Sequence, residues 1–152
     1  MKKILIVDDA KLMRNIIKSC LPEDEFVFIE ANNGQDAVEQ YKQIRPDVVT
    51  MDITMDQKNG VDAAREILEF DTNARIIMVT SLGQEKLLGE CLEAGVRDYL
   101  VKPFTKDRVK SAVFKAMEPS NYADSKEGPG SIGPNGGSRF ENRYRIALKT
   151  SS

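Results

Sequence analysis

The chain has 152 residues, of which 41% are hydrophobic and 30% are charged, and its formal net charge is −2. This length is enough for one domain with a hydrophobic core, and the near balance of charge argues against a surface built for general nucleic-acid binding. The absence of histidine excludes Ser-His-Asp and Cys-His catalysis, most zinc sites and a phosphohistidine. Carboxylates, hydroxyls and lysines remain for chemistry, and they favour hard cations and phosphoryl groups.

No apolar run approaches the roughly 20 residues that a membrane-spanning helix needs, so we expect no membrane insertion and a cytoplasmic location. Cys20 and Cys91 lie far apart in the sequence, each among residues with a helical pattern. We therefore expect reduced structural thiols rather than a redox pair.

Five short apolar runs have the composition of strands buried in a parallel sheet. They lie at residues 3–7, 26–31, 46–52, 75–80 and 98–101. Between and after them, apolar residues recur at helical spacing. The predicted apolar faces are Leu12, Met13, Ile16, Ile17 and Cys20; Ala37, Val38, Tyr41 and Ile44; Val61, Ala64, Ile67 and Leu68; Leu87, Leu88, Cys91 and Leu92; and Val109, Val113, Phe114 and Met117. Five strands alternating with five helices predict an α/β fold, a doubly wound five-stranded parallel sheet with helices on both faces.

Polar residues stand at the ends of the predicted strands, where ligands bind in open sheets of this class. They are Asp8, Asp9, Asp52, Thr80, Ser81 and Lys102. Each has an ordinary explanation when taken alone: aspartates after a strand often cap a helix, threonine is a common strand residue and Lys-Pro is a turn pattern. Their shared placement at the ends of different strands favours a functional site.

Three carboxylates at the ends of two strands would repel one another unless their pKa values rise or a cation lies between them. Mg²⁺ prefers oxygen ligands and suits such a site. A carboxylate beside the metal can act as the nucleophile towards a phosphoryl group, and Asp52 is the candidate. Lys102 and Thr80 would then compensate the charge on the oxygens of the transferred group.

Four motifs, ILIVDD, VVTMDITM followed by NG, IIMVTS and DYLVKPF, occur in this order along the chain. Through them the chain from about Lys2 to Met117 resembles a response-regulator receiver domain of two-component signalling, close to the single-domain CheY-like type. The resemblance implies a flavodoxin-like, CheY-like fold. It also implies a protein that is no enzyme, apart from catalysing its own phosphorylation and dephosphorylation.

The resemblance assigns a role to each residue of the matching motifs. Asp52 matches the phosphoacceptor. Asp9 and Asp52 match direct Mg²⁺ ligands, the backbone carbonyl of Thr54 matches a third ligand, and Asp8 is expected to act largely through water.

Further roles follow from the last two motifs. Thr80 matches a switch hydroxyl and Lys102 a lysine that pairs with the phosphoryl group. Tyr99 matches an aromatic switch residue that turns inward when Thr80 engages that group. The Lys102–Pro103 peptide bond is expected to be cis.

The loop after Asp52 departs from the family pattern. The family usually has proline four residues after the phosphoacceptor and often methionine two residues further on, whereas this chain has Asp56 and Lys58 there. Because proline fixes φ, its absence predicts a more mobile loop over residues 55–59, with the phosphorylation site retained. Asp56 would also add negative charge near the metal.

The composition changes after the predicted receiver domain, residues 1–119. Residues 120–138 are rich in glycine and proline, as in a flexible linker. Residues 139–152 form a basic and apolar tail of unknown role, which could add a strand to a sheet edge, remain disordered or derive from an expression vector. These segments are too short for a DNA-binding output domain with its own core, so we expect no DNA partner.

The resulting functional hypothesis is a stand-alone response regulator. A histidine kinase would transfer a phosphoryl group to Asp52 with Mg²⁺ bound, and the surface of the fourth helix and fifth strand would change its affinity for an output protein, as in chemotaxis. A phosphorelay intermediary that passes the group to a histidine phosphotransfer protein is the alternative. A phosphatase is disfavoured because Thr54 stands where a second carboxylate is needed, and a nucleotide-binding domain because no glycine-rich phosphate loop occurs.

Overall fold

The structure, a computed structural model, describes residues 1–55 and 57–119. Within these residues strands and helices alternate, which confirms the predicted order. The predicted linker (residues 120–138) and tail (residues 139–152) lie outside the described residues. The strands are β1 (Lys2–Val7), β2 (Phe26–Ala31), β3 (Val48–Asp52), β4 (Ile76–Thr80) and β5 (Asp98–Val101). The helices are α1 (Lys11–Ser19), α2 (Gly34–Ile44), α3 (Gly60–Phe70), α4 (Glu85–Ala94) and α5 (Lys106–Met117).

The five strands form one parallel sheet in the order β2-β1-β3-β4-β5. The chain winds outwards from β1 in one direction and then from β3 in the other, so the helices cover both faces, as predicted. All residues of β3 and β4 are buried. That burial explains why their sequences are almost continuously apolar rather than alternating.

Two hydrophobic clusters hold the helices against the sheet, one on each face. Alternate side chains of each strand supply them, so that Leu5 and Val7 of β1 join one cluster while Ile4 and Ile6 join the other. The first cluster is completed by apolar residues of α2, α3 and α4, and the second by those of α1 and α5. Both faces of the sheet are therefore removed from water, which is the main source of stability in such folds.

Side chains or a glycine cap several helix ends. Thr105 accepts a hydrogen bond from the Arg108 backbone N–H at the start of α5, and Gly95 ends α4 with a φ of 118°. Asn33 and Asn59 cap α2 and α3 in the same way as Thr105. These contacts satisfy backbone groups that would otherwise have no partner at the helix ends.

The predicted apolar faces of three helices are too wide. Leu12 and Ile16 of α1 are 73% and 38% exposed, Leu87 of α4 is 40% exposed, and Phe114 of α5 is 37% exposed. Each lies one position, or about 100° of helix rotation, away from residues that do pack inwards, such as Ile17 and Leu88. Only a narrow face of each of these helices packs against the sheet, and the neighbouring apolar residues remain at the surface.

The remaining expectations concern cysteines and membrane insertion. Cys20 and Cys91 are both free and buried, and burial raises the pKa of the Cys91 thiol to about 12. Neither forms a disulfide, as predicted. Among residues 1–55 and 57–119, none of the helices has the length and apolar character needed to cross a bilayer.

Candidate functional site

An acidic pocket lies at the carboxyl edge of the sheet, where β1 and β3 end side by side. The parallel register places Val7 beside Met51, so the next residues along both strands, Asp8 and Asp52, emerge at the same level. Asp9 follows Asp8 directly. Carboxylate oxygens of all three aspartates lie within 4.8 Å of one another. We call these three residues the acidic pocket.

Two of the three aspartates are buried. Asp8 is 1% exposed and Asp52 is 6% exposed, whereas Asp9 faces solvent. One oxygen of Asp8 accepts a hydrogen bond from the Ala10 backbone N–H at 2.9 Å. The other, Oδ2, is buried without a hydrogen-bond partner in the described part of the chain. A buried carboxylate oxygen without a hydrogen bond is costly, because burial removes its hydration and no donor lies at hydrogen-bond distance.

Burial and mutual repulsion change the titration of the pocket. The pKa of Asp52 is raised from 3.8 to about 6, chiefly by loss of hydration and next by the neighbouring charge of Asp8. Burial also raises the pKa of Asp8, although the Ala10 N–H and the Lys102 ammonium oppose the rise. At neutral pH Asp52 is therefore ionised and more basic than an ordinary aspartate.

Lys102 supplies the positive charge that faces this pocket. Its Nζ lies 3.7 Å from Asp8 Oδ2 and 3.7 Å from Asp52 Oδ1. The Lys102 backbone N–H donates to the Thr80 carbonyl at 2.8 Å, which joins the end of β5 to the end of β4. The Lys102–Pro103 peptide bond is cis, as expected.

The pocket fits a hard divalent cation. Three carboxylates carry more negative charge than one lysine can balance, and oxygen atoms from separate residues converge within the reach of a single ion. Asp8 Oδ2 has the Lys102 ammonium at 3.7 Å but no hydrogen bond, and such an ion, or a water bound to it, would satisfy this acceptor. The donor set contains only oxygen, which is what Mg²⁺ selects.

Thr80 ends β4, and its side chain is 1% exposed. Its hydroxyl donates to Gln84 Oε1 at 3.1 Å, with the Ser81 carbonyl oxygen as a second acceptor at 3.3 Å. Gln84 Oε1 also accepts from the Ser81 backbone N–H at 2.7 Å, and Gln84 Nε2 donates to the Thr54 hydroxyl. The Gln84 amide thus connects the segment after β4 with the segment after β3.

Tyr99, in the middle of β5, is paired with Met78 of β4 and is 4% exposed. Its side chain belongs to the hydrophobic cluster that also contains Leu88 and Cys91 of α4. The Tyr99 ring is therefore buried in this structure while the Thr80 hydroxyl is bound to Gln84. The predicted inward turn of this ring when Thr80 engages a phosphoryl group stays a prediction.

The start of α3 lies directly against the backbone of Asp52. The Gly60 N–H donates to the Ile53 carbonyl at 2.8 Å. A Cβ on Gly60 would lie 1.9 Å from the Asp52 carbonyl oxygen, a distance that real Cβ atoms do not show. Only glycine allows the helix to begin this close to the strand.

The loop between β3 and α3 is described except for Asp56, so the predicted effect of that residue lies outside the described residues. Gln57 and Lys58 both have a φ of 48°, the left-handed conformation that side chains disfavour. The Lys58 ammonium pairs with Glu66 of α3. The backbone carbonyl oxygen of Lys58 would be 2.1 Å from a Cβ on Gly34. The mobility predicted for this loop stays a prediction.

The structure brings Asp8, Asp9, Asp52 and Lys102 together, whereas Thr80 and Ser81 are hydrogen-bonded to Gln84. It adds two residues that the sequence analysis did not select. Gln84 is one. The other is Arg14, whose guanidinium donates to the Asp8 carbonyl at 2.7 Å and to Glu30 at 2.9 Å. A polar side chain four residues after a strand-end hydroxyl was the available signal for Gln84. Nothing in the sequence distinguishes the half-buried Arg14 from the exposed basic residues of the helices.

Comparison with known proteins identifies the family. The family model described as the response regulator receiver domain matches residues 4–114, which is most of the chain. The chain therefore belongs to the response regulator receiver domain family. It is a CheY-like receiver domain and not a conventional enzyme.

Individual relatives support the same assignment. A chemotaxis protein CheY of Thermotoga maritima is 47% identical over 118 residues, covering 77% of this chain and 98% of the relative. A chemotaxis protein CheY of Bacillus subtilis is 48% identical over 116 residues, covering 76% and 97%. The crystal structure of a CheX–CheY–BeF3–Mg complex from Borrelia burgdorferi matches with a TM-score of 0.71 at 35% identity, covering 76% of this chain and 89% of that chain.

Proposed function

We propose that this chain is a stand-alone response regulator that accepts a phosphoryl group on Asp52 from a histidine kinase, in a reaction that depends on Mg²⁺. One observation carries the proposal. Three carboxylates converge within 4.8 Å at the carboxyl edge of the sheet, and Lys102 Nζ lies 3.7 Å from two of them. This arrangement supplies a nucleophile, a cation site and a fixed positive charge in one place.

Asp52 is the proposed nucleophile because it ends the central strand β3 and is ionised at neutral pH. A carboxylate oxygen of Asp52 would form a bond to phosphorus while the bond from phosphorus to the donor's imidazole nitrogen breaks. The electron pair of that bond leaves with the imidazole. Because Asp52 carries one of the three converging carboxylates and lies 3.7 Å from Lys102 Nζ, its carboxylate stands beside the groups that would hold the phosphoryl oxygens.

The other residues of the site would stabilise the transferred group. Asp8, Asp9, Asp52 and the Thr54 backbone carbonyl are the proposed holders of Mg²⁺, Asp8 largely through water. When bound, Mg²⁺ would offset the charge of the carboxylates and coordinate a phosphoryl oxygen. The Lys102 ammonium would pair with another of these oxygens.

Phosphorylation would be transmitted to a partner surface through Thr80 and Tyr99. The Thr80 hydroxyl would donate a hydrogen bond to the phosphoryl group, and Tyr99 connects the neighbouring strand to α4 through their shared hydrophobic cluster. We therefore propose that the exposed face of α4 and β5 binds the output protein. The similarity to chemotaxis CheY proteins supports chemotaxis as the pathway and the cytoplasm as the location.

The decisive experiment is labelling with radioactive acetyl phosphate. We expect the full chain to take up label in the presence of Mg²⁺ and to lose uptake when Mg²⁺ is chelated. Asp52→Asn should abolish it, because the amide is not a nucleophile of comparable strength.

Asp24→Asn is the matched control, because it removes an exposed carboxylate in the turn between α1 and β2. It should label like the wild type. Full labelling of Asp52→Asn, at any other residue, would disprove the assignment of the phosphoacceptor.

A further inference from the structure

Gln84 is placed to control the hydroxyl of Thr80, although it does not belong to the acidic pocket. It immediately precedes α4 and follows Thr80 by four residues. Its side-chain amide is bound on both sides. The oxygen accepts from the Ser81 N–H at 2.7 Å and from the Thr80 hydroxyl at 3.1 Å, and the nitrogen donates to Thr54.

The contact with Ser81 determines which way the amide points. A backbone N–H can only donate, so the Gln84 atom that faces it must be the oxygen. The Thr80 hydroxyl faces the same oxygen and must donate its single proton there, or to the Ser81 carbonyl at 3.3 Å. Both acceptors belong to the segment that leads into α4. The Thr80 hydroxyl therefore donates its hydrogen bond to the segment that precedes α4.

We propose that Gln84 is a positioning residue that holds the Thr80 hydroxyl in the unphosphorylated protein and competes with the phosphoryl group for its proton. This inference rests on the proposed function. An ionised phosphoryl group offers only acceptors, and a hydroxyl has one proton, so Thr80 cannot donate to Gln84 and to the phosphoryl group through the same proton. Phosphorylation must therefore break the Thr80–Gln84 hydrogen bond.

The same side chain also connects the two segments that flank the site. Thr54 lies two residues after Asp52, and Gln84 is the residue directly before α4. Loss of the Thr80 contact leaves Gln84 Oε1 with the Ser81 N–H as its partner. The hydrogen bonding at the beginning of α4 changes in consequence. This is the helix whose exposed face we propose as the output surface.

The first test removes the competing acceptor. Gln84→Met keeps the length of the side chain but neither accepts a hydrogen bond from Thr80 nor donates one to Thr54. A neutral hydrogen bond contributes roughly 1 kcal/mol net, which corresponds to about fivefold in an equilibrium constant. We expect the variant to bind beryllofluoride, a phosphoryl analogue, about fivefold more tightly than the wild type in the presence of Mg²⁺, as measured by calorimetry.

A second variant should act in the opposite direction. Gln84→Glu retains an acceptor for Thr80 and Ser81, and the Thr54 hydroxyl can donate where it now accepts. A charged acceptor binds a hydroxyl about twice as strongly as a neutral one, so beryllofluoride affinity should fall severalfold. A residue that merely supports the fold would weaken binding in both variants.

The role of Thr80 is isolated by a double-mutant cycle. In a Thr80→Ala background there is no hydroxyl to compete for, so Gln84→Met should change beryllofluoride affinity by less than about twofold. Gln43→Met is the matched control, because it changes an exposed glutamine of α2 in the same way. It should bind the analogue like the wild type.

The inference is overturned if Gln84→Met binds beryllofluoride no more tightly than the wild type, or gains affinity equally with and without Thr80. Thermal melting checks that each variant is folded. If Gln84→Met does not fold, Gln84→Ala takes its place in the same cycle. A wild type that takes no Mg²⁺-dependent label on Asp52 overturns the proposed function and this inference together, whereas normal labelling with an unresponsive Gln84→Met overturns this inference alone.

Discussion

Two buried oxygen atoms in the described part of the chain lack a hydrogen-bond partner, and their surroundings differ. Asp8 Oδ2 lies at the carboxyl edge of the sheet, 3.7 Å from Lys102 Nζ. Thr50 Oγ1 lies inside the sheet, on a residue that is 0% exposed and is paired with Ile6 on one side and Ile77 on the other.

The two oxygen atoms differ in what can reduce the free-energy cost of burying them. Asp8 belongs to a group of carboxylates that a proton or a cation can neutralise, so the cost of burying it depends on pH and on metal. The Thr50 hydroxyl is buried on a residue flanked by Ile6 and Ile77 in the neighbouring strands, and it does not titrate. Its cost is constant under all conditions in which the fold persists. A buried polar group at a site is thus distinguished from one in the core by its response to solution conditions.

The largest expected effect comes from removing charge at the pocket. Burial raises the pKa of Asp52 from 3.8 to about 6, so the folded protein binds more protons than the unfolded chain between these values and loses stability as pH rises through them. Asp52→Asn removes this pH-dependent loss of stability, because an amide does not ionise. In metal-free protein at pH 7.5 we expect it to raise the free energy of unfolding by about 2 to 3 kcal/mol, as measured by urea denaturation.

The pH dependence provides the control for that prediction. Near pH 4 the Asp52 carboxyl group is protonated in the folded state and has almost no effect on the free energy of unfolding. The wild type and Asp52→Asn should therefore have nearly equal stability at this pH. A stabilisation by Asp52→Asn that is constant from pH 4 to pH 7.5 would show that repulsion in the pocket is not its cause.

Mg²⁺ should relieve the same repulsion in the wild type. At about 100 times its dissociation constant, a ligand that binds only the folded state raises the free energy of unfolding by about 2.7 kcal/mol. We expect the melting temperature of the wild type to rise on adding Mg²⁺ and to return on chelation. Asp52→Asn should respond much less, because it has lost one ligand charge. Equal responses in the two proteins would place the metal elsewhere.

Thr50→Val should have the smallest effect on stability, and this effect should depend on neither pH nor Mg²⁺. Valine has nearly the same shape and lacks the buried hydroxyl, so we expect stabilisation of about 1 kcal/mol. Urea denaturation should give the same increment at pH 5 and pH 7.5, with and without Mg²⁺. An increment that varies with Mg²⁺ would mean that Thr50 is coupled to the pocket.

The fold and the main residues of the site could be predicted because both depend on the same local pattern. Asp8 and Asp52 each follow an apolar run that is long enough for one strand, and parallel strands bring their carboxyl ends to one edge. The residues that end separate strands can therefore be expected to lie near one another at that edge. Lys102 and Thr80 could be placed by the same argument.

Contacts that depend on side-chain conformation could not be predicted in this way. The hydrogen bond from Thr80 to Gln84 requires a particular path of the chain between β4 and α4, which polar residues do not specify. Leu12 and Phe114 were expected in the core because helical spacing is the same for two adjacent stripes of a helix. Which stripe faces the sheet is decided by packing between elements that are distant in sequence.

Gly60 makes the dimensions of the pocket depend on a residue without a side chain. A methyl group at this position would have to move from 1.9 Å to at least 3.0 Å from the Asp52 carbonyl oxygen, so α3 and the end of β3 would have to separate by more than about 1 Å. Asp52 would then meet Asp8 and Asp9 at a different angle. The space available to the proposed phosphoryl group is therefore set partly by how closely α3 can approach β3.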